Sequence, residues 1–186
     1  VRHPDLRRSY GALRFSPRPR RSNKTVRKFF YNGTFEYIEN GAGRVDTRAA
    51  TAEAVVELQN SDKFNVKYFT TYEFLPARLT LAPGVAVPAG GSAYRSVLAG
   101  YNFGPTHKRG VANVSIERGS LYGGNKTIFT VSNGLVSVPP HVIVEPTYSM
   151  NKVDLPQAAF TAHLLGPRLT YMATPLMFVS ALVQYN

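Results

Sequence analysis

The stretch FNVKYFTTYE, residues 64–73, decides the fold of this chain. Apolar or aromatic side chains at Phe64 and Val66 alternate with polar side chains at Asn65 and Lys67, and the alternation continues to the end of the stretch with one aromatic out of phase. A period of two residues is typical of a β-strand whose two faces meet different surroundings. The stretch therefore predicts a two-faced strand.

The same alternation recurs along the chain. Clear segments are 27–38, 47–59, 111–118, 141–150 and 176–186, and weaker ones are 10–16, 93–103, 126–133 and 161–173. The chain has 15 Gly and 13 Pro, and we find no helical periodicity between the segments, so the sequence predicts about ten antiparallel strands joined as consecutive hairpins. Their length, roughly 8–13 residues, is close to what a tilted strand needs to cross a bilayer.

The predicted connections alternate in length. Short turns fall near residues 60–63, 104–109, 136–140 and 174–176, and longer loops near 40–46, 75–92, 120–125 and 151–158. Short periplasmic turns that alternate with longer outer loops are typical of outer-membrane β-barrels. The loop at 75–92 is rich in Pro, Gly and apolar residues, so we expect it to pack on another part of the protein.

Composition narrows the class of protein. The 186 residues are 44% hydrophobic, 12% aromatic and 18% charged, which is too apolar for a disordered chain and low in charge for a soluble one. A net charge of +11 points to an anionic partner. The absence of cysteine excludes a disulfide scaffold and a cysteine-based zinc site, and no apolar run is long enough for a membrane helix.

The start of the chain carries no secretory signal pattern, and we expect the chain to be part of a longer protein. The predicted organisation is a linker or leading segment at 1–9, followed by β-barrel strands over 10–186.

The polar face of the predicted strands carries charges in mid-strand. Because lipid cannot solvate them, these side chains are expected to line a water-filled interior while the apolar face meets lipid. The predicted interior residues are Lys28, Glu36, Glu53, Glu57, Lys67, Glu73, Glu117, Glu145, Arg168 and Gln184. Aromatic residues gather at the apolar strand ends, as in an interfacial girdle, at Tyr37, Tyr72, Tyr101, Phe103, Tyr148, Tyr171 and Tyr185.

Alternation alone also fits a soluble protein. A soluble antiparallel sandwich or lipocalin-like barrel would bury the apolar face and could bind an apolar or glycan ligand in its interior. The mid-strand charges and the aromatic strand ends favour an all-β, antiparallel, up-and-down transmembrane β-barrel over that alternative.

Motifs in the C-terminal half add a resemblance. GSLYGG at 119–124, EPTYSMNKVDLP at 145–156 and TPLMFVSALVQYN at 174–186 lie within a region, 93–186, that resembles an uncharacterised bacterial family. Its members carry an N-terminal domain similar to family 9 carbohydrate-binding modules and a C-terminal outer-membrane-like barrel. The resemblance implies a bacterial outer-membrane location and a glycan-related role, and supplies no catalytic residue.

The resemblance also bears on whether the predicted barrel is complete within this chain. It implies strands beyond this chain, so we expect an incomplete part of a larger barrel, completed by other segments or other protein chains. The last predicted strand, 176–186, should then have no second neighbour here unless it pairs with the strand at 10–16. The carbohydrate-binding-like domain of the family has no counterpart in this sequence.

No constellation predicts an enzyme, a metal centre or a cofactor. Glu53 and Glu57 suggest a glycosidase pair, but two such positions on one strand lie about 13 Å apart, beyond the roughly 5–9.5 Å that catalytic carboxylates need. The histidines do not recur at metal-ligand spacing; they are His3, His107, His141 and His163. We therefore expect a membrane scaffold, anchor or pore without catalytic activity or cofactor.

Basic residues gather at the predicted short-turn side. They are Arg18, Arg20, Arg21 and Lys24 in one turn, and Lys108 and Arg109 in another. A nucleic-acid surface would interleave such residues with stacking aromatics, which these turns do not. The sequence therefore predicts a basic periplasmic rim that meets anionic headgroups of outer-membrane lipid, and no nucleic-acid partner.

Overall fold

The chain folds into antiparallel β-structure. A computed structural model describes residues 5–20, 24–82, 85–107, 110–138, 141–156, 158–174 and 176–185. The strands are β1 (Leu6–Phe15), β2 (Val26–Asn40), β3 (Val45–Leu58), β4 (Lys63–Leu75), β5 (Leu79–Ala82), β6 (Val85–Val87), β7 (Gly90–Asn102), β8 (Gly110–Leu121), β9 (Gly124–Val138), β10 (Val142–Glu145), β11 (Tyr148–Asp154), β12 (Ala159–Leu165), β13 (Arg168–Thr174) and β14 (Met177–Leu182). No helix in these ranges is long and apolar enough to cross a membrane.

One sheet of twelve strands forms the body of the protein. Its order is β1-β2-β3-β4-β7-β8-β9-β10-β13-β14, and β11 joins it by pairing with both β9 and β12. Strand β9 pairs with β11 along its first half and with β10 near its end, because β10 and β11 are one extended path interrupted at Pro146. Likewise β12 and β13 are interrupted at Gly166 and Pro167.

The main sheet contains ten long paths, counting β10 with β11 and β12 with β13 as one path each, and the ten predicted segments correspond to them. The prediction of an antiparallel all-β chain is confirmed. Two boundaries differ from the prediction. Strand β1 begins at Leu6, inside the segment 1–9 that was predicted as a linker or leading segment. The sequence did not indicate a strand there, because the consecutive arginines Arg7 and Arg8 interrupt the alternation of apolar and polar residues. Strand β14 ends at Leu182, after which Tyr185 makes an isolated bridge to Leu165.

The predicted loop at 75–92 contains a small hairpin, which corrects the expectation of a loop without strands. Strands β5 and β6 pair with each other in a separate two-stranded sheet. Val85 of β6 is buried against Val153 and Leu155 at the end of β11, with Tyr122 and Phe160 at the margin of the cluster. Val153 pairs with Lys126, and Lys126 lies on the same face of the sheet as Glu117. The hairpin therefore packs over one end of the charged face.

Both edges of the main sheet are open within the described ranges. There β1 pairs with β2 alone, and β14 pairs with β13 alone. The last strand therefore lacks a second neighbour among these residues, as the sequence led us to expect. Each edge presents a row of backbone N–H and C=O groups, which are ready to pair with another strand.

Gly119 in β8 is a point of close approach. A Cβ atom added there would lie 2.2 Å from the carbonyl oxygen of Arg95 and 2.4 Å from the Cβ of Ser96. We expect Gly119→Ala to lower the free energy of unfolding by about 1–3 kcal/mol, because backbone must shift to admit the methyl group. Gly11→Ala is the matched control, since nothing lies within 4 Å of its added Cβ. Equal effects in urea titrations of the two variants would contradict the close packing of β7 on β8.

Candidate functional site

A polar groove runs across the charged face of the sheet. Asn32, Glu53 and Lys67 are direct partners on β2, β3 and β4, and the row continues through Leu98 to Glu117 on β8. Cross-strand partners point to the same face, so these residues lie side by side. A cavity of about 460 Å³ is lined by residues from β1, β2, β3, β4, β7, β8 and β9. Seven strands therefore contribute to one cavity on this face of the sheet.

The charged residues of this face make partly buried ion pairs. Lys67 Nζ lies 3.2 Å from Glu53 Oε1, and Asn32 Nδ2 donates to Glu53 Oε2 at 2.9 Å. On the neighbouring strands Lys126 Nζ lies 2.6 Å from Glu117 Oε1, and both side chains are only 17% exposed. Pairs that are shielded in this way interact more strongly than fully solvated ones.

The groove carries an excess of positive charge and many amides. Its charged lining residues are Arg14, Lys63 and Lys67 against the single carboxylate of Glu53. Four asparagines also line the groove, at Asn32, Asn65, Asn102 and Asn113, together with apolar residues such as Phe30, Val55 and Leu98. The Arg14 guanidinium lies 5.0 Å from the Phe30 ring centroid, within cation–π range. The surface is suited to hydrogen bonding.

The other predicted interior residues are spread along the face. Lys28 Nζ lies 4.4 Å from the Phe30 ring centroid, which places Lys28 beside the groove. Glu36, Glu57 and Glu145 form ion pairs with Arg8 (2.5 Å), Arg27 (3.3 Å) and Arg168 (3.9 Å) respectively. Glu73 accepts a hydrogen bond from Tyr122. Gln184 lies beyond β14, is exposed, and does not line the groove.

The opposite face of the sheet is apolar and exposed. Val66, Tyr68 and Val97 lie on it, 38%, 40% and 47% exposed, and Ile116 is 50% exposed. Buried apolar side chains in the described ranges are confined to Val85, Val87, Val153 and Leu155. The accessible surface is 12890 Å², against about 8,900 Å² for a compact soluble protein of this mass. In the middle of the sheet burial is thus inverted, with Val66, Val97 and Ile116 outward and the ion pairs of Glu53 with Lys67 and of Glu117 with Lys126 sheltered.

A buried carboxylate joins two turns at one end of the sheet. Asp62, between β3 and β4, is 2% exposed and accepts hydrogen bonds from Tyr101 Oη (2.6 Å) and the backbone N–H of Gly104 (2.6 Å). Asn60 Nδ2 donates at 2.7 Å, and His107 Nε2 lies 2.8 Å away. Burial is the largest single influence and raises the pKa of Asp62, but the four hydrogen bonds together outweigh it and lower the pKa to about 2.

The predicted rim is only partly described. Arg18, Arg20 and Lys24 are exposed in the connection between β1 and β2, at the same end of the sheet as Asp62. Arg21, Lys108 and Arg109 lie outside the described residues. The Asp62 cluster was not predicted, because an aspartate in a short turn is ordinary and its partners Tyr101 and His107 are distant in sequence.

The described histidines His107, His141 and His163 have hydrogen-bond partners within the protein, and His3 lies outside the described residues. His141 Nδ1 lies 2.8 Å from the carbonyl oxygen of Met172, and His163 Nδ1 lies 2.9 Å from Tyr148 Oη. Across the described ranges, no group of three metal-ligating side chains comes together. Comparison with known proteins found no match: no family model, no curated protein and no solved structure resembles the chain.

Proposed function

We propose that this sheet is part of the wall of a transmembrane β-barrel in a bacterial outer membrane. Its apolar face contacts lipid, and the polar groove faces a water-filled interior. The observation that carries the proposal is the inverted burial: Val66, Val97 and Ile116 are more exposed than Glu53 and Glu117. A bilayer is the solvent in which that arrangement is favourable.

The barrel serves as a membrane scaffold, anchor or pore, and not as an enzyme. The Glu53 carboxylate of the groove is paired with Lys67, so it is not placed as an unpaired acid or base. The open edges of β1 and β14 are satisfied by strands of further segments or of other chains, since an unpaired edge in hydrocarbon costs several kcal/mol for each group.

A link to glycan binding or uptake is supported by the lining of the groove. Asn32, Asn65, Asn102 and Asn113 present amide donors and acceptors beside the Phe30 ring. Amides next to an aromatic ring are suited to a ligand rich in hydroxyl groups. The groove therefore favours small polar solutes over apolar ones.

The test is whether the purified chain needs detergent. We expect it to be β-rich and dispersed in detergent micelles, and to aggregate when detergent is removed, as followed by circular dichroism and light scattering. The apolar face and the two open edges are the physical reason. A β-rich, water-soluble monomer would support instead a soluble barrel or sandwich that binds an apolar or glycan ligand.

A further inference from the structure

One cation on each of β3, β7, β8 and β11 lies on the apolar face and not on the groove face. Arg118 is the direct partner of Val97 on β7, so it points outward with that valine. Arg118 and Lys152 are both partners of Thr127 and share the same face. Arg95 is two residues from Val97 and therefore also points outward. Arg48 is the partner of Tyr72, which continues the outward series Val66 and Tyr68.

These four residues, Arg48, Arg95, Arg118 and Lys152, are called the outer basic belt below. Arg48 lies near the start of β3, and Arg118 and Lys152 lie near the ends of β8 and β11, which are the strand ends that meet long loops. Arg95 lies farther in, as the sixth of the 13 residues of β7. Neighbouring members are spaced by about 8–12 Å, estimated from the strand separation and rise. The belt thus follows one rim of the apolar face.

The next outward residues toward the opposite end are apolar. They are Tyr68 on β4, Val97 on β7, Ile116 on β8, Phe129 on β9 and Met150 on β11. The belt therefore lies at the boundary of the apolar surface. Under the proposed function, on which this inference rests, that boundary is the level of the lipid headgroups.

The belt lacks strong internal partners. Within the described ranges, Arg95 and Arg118 form no ion pair, and both are exposed. Arg48 lies 6.0 Å from the Tyr72 ring centroid, and Lys152 lies 3.8 Å from Asp154 with both side chains about half exposed. The groove glutamates, in contrast, each have a polar or cationic partner. The positive charge of the belt is available to an external anion.

We propose that the outer basic belt binds the phosphate groups of anionic membrane lipids. Guanidinium groups match phosphate oxygens through paired hydrogen bonds, and three of the four members are arginines. The acyl chains of the same lipid lie along Val97 and Ile116, which extend from the belt toward the middle of the sheet. The occupant is thus a lipid of the membrane in which the sheet lies, held at its headgroup.

The probe is phosphatidic acid, with phosphatidylcholine as the reference lipid, added to the full chain in detergent micelles and counted by native mass spectrometry. We expect the chain to retain phosphatidic acid at least about 10-fold more strongly, since each cation near a lipid surface contributes a several-fold preference. Arg95→Gln with Arg118→Gln should reduce the ratio to about 2-fold or below. Arg48→Gln with Lys152→Gln is a second pair and should reduce it in part.

The matched control is Arg8→Gln with Arg168→Gln, which removes the same charge from two cations that are paired with Glu36 and Glu145 on the groove face, and it should leave the ratio near that of the unmodified chain. Equal retention of the two lipids, or an equal loss in the control and in Arg95→Gln with Arg118→Gln, would overturn the belt while leaving the membrane proposal intact. A chain that is monomeric and β-rich without detergent would overturn the membrane proposal, and the belt with it.

Discussion

Replacing Val66 by arginine is expected to lower the free energy of unfolding from a bilayer by about 2–4 kcal/mol, the cost of an arginine that faces lipid near the middle of a barrel. Val66 lies between Phe64 and Tyr68 on the outward face of β4 and is 38% exposed. In lipid the new guanidinium has no partner there, because the neighbours Ala54 and Ala99 are apolar. Urea titration of the chain folded into phosphatidylcholine vesicles measures the difference.

The matched variant is Asn65→Arg, one residue away on the groove face. Its side chain enters the cavity, where water and the Glu53 carboxylate can solvate it, so we expect a loss of about 1 kcal/mol or less. The comparison keeps the strand, the added charge and the added volume constant. Equal losses for the two variants would remove the assignment of the two faces on which the proposed function depends.

Asp62→Ala is expected to destabilise the protein by about 3 kcal/mol, because it leaves several buried or partly buried donors without their acceptor. Tyr101, Gly104 and Asn60 all donate to this carboxylate at 2.6–2.7 Å. The loss should appear as a lower urea midpoint for the whole sheet in detergent micelles. Asp46→Ala serves as the control, since the Asp46 carboxylate accepts only a 3.2 Å bond from the adjacent Thr47 hydroxyl, and should cost below about 1 kcal/mol.

Lowering the pH should destabilise the protein through the same Asp62 carboxylate. The folded-state pKa of Asp62 is about 2, below the ordinary value of 3.8, so its contribution to stability is complete above about pH 4 and is lost as the pH falls toward 2. The unmodified chain should therefore lose more stability over that interval than Asp62→Ala does. Parallel pH profiles for the two would show that the carboxylate is not held in its ionised form by Tyr101 and Gly104.

The strands could be predicted from the sequence because apolar and polar residues alternate wherever the two faces of the sheet have different surroundings. Segment 64–73 and strand β4 (Lys63–Leu75) agree closely, because apolar and polar residues alternate along most of this strand. The interruptions at Pro146 and Gly166 were not predicted, because a path that is broken for one or two residues and then resumes gives nearly the same alternation.

Two parts of the structure had no usable signal. The β5–β6 hairpin comes from LTLAPGVAV, residues 79–87, where nearly every side chain is apolar and no alternation can be read. The Asp62 cluster depends on residues 39–45 positions apart, a separation at which one sequence carries no pairing information. The polar groove was predicted in outline, since the alternation alone places Glu53, Lys67 and Glu117 on one face, but the cavity that the seven strands line was not.

The meander order of the sheet also governs how quickly it can form. Successive paths of the main sheet are neighbours along the chain, and the longest connection between them is residues 76–89, between β4 and β7. The entropy lost on closing a loop grows only with the logarithm of its length, and local pairings speed the folding of β-proteins. A hairpin that has formed offers its outer edge as the template for the next, so the sheet can grow one hairpin at a time from a nucleus anywhere in the chain.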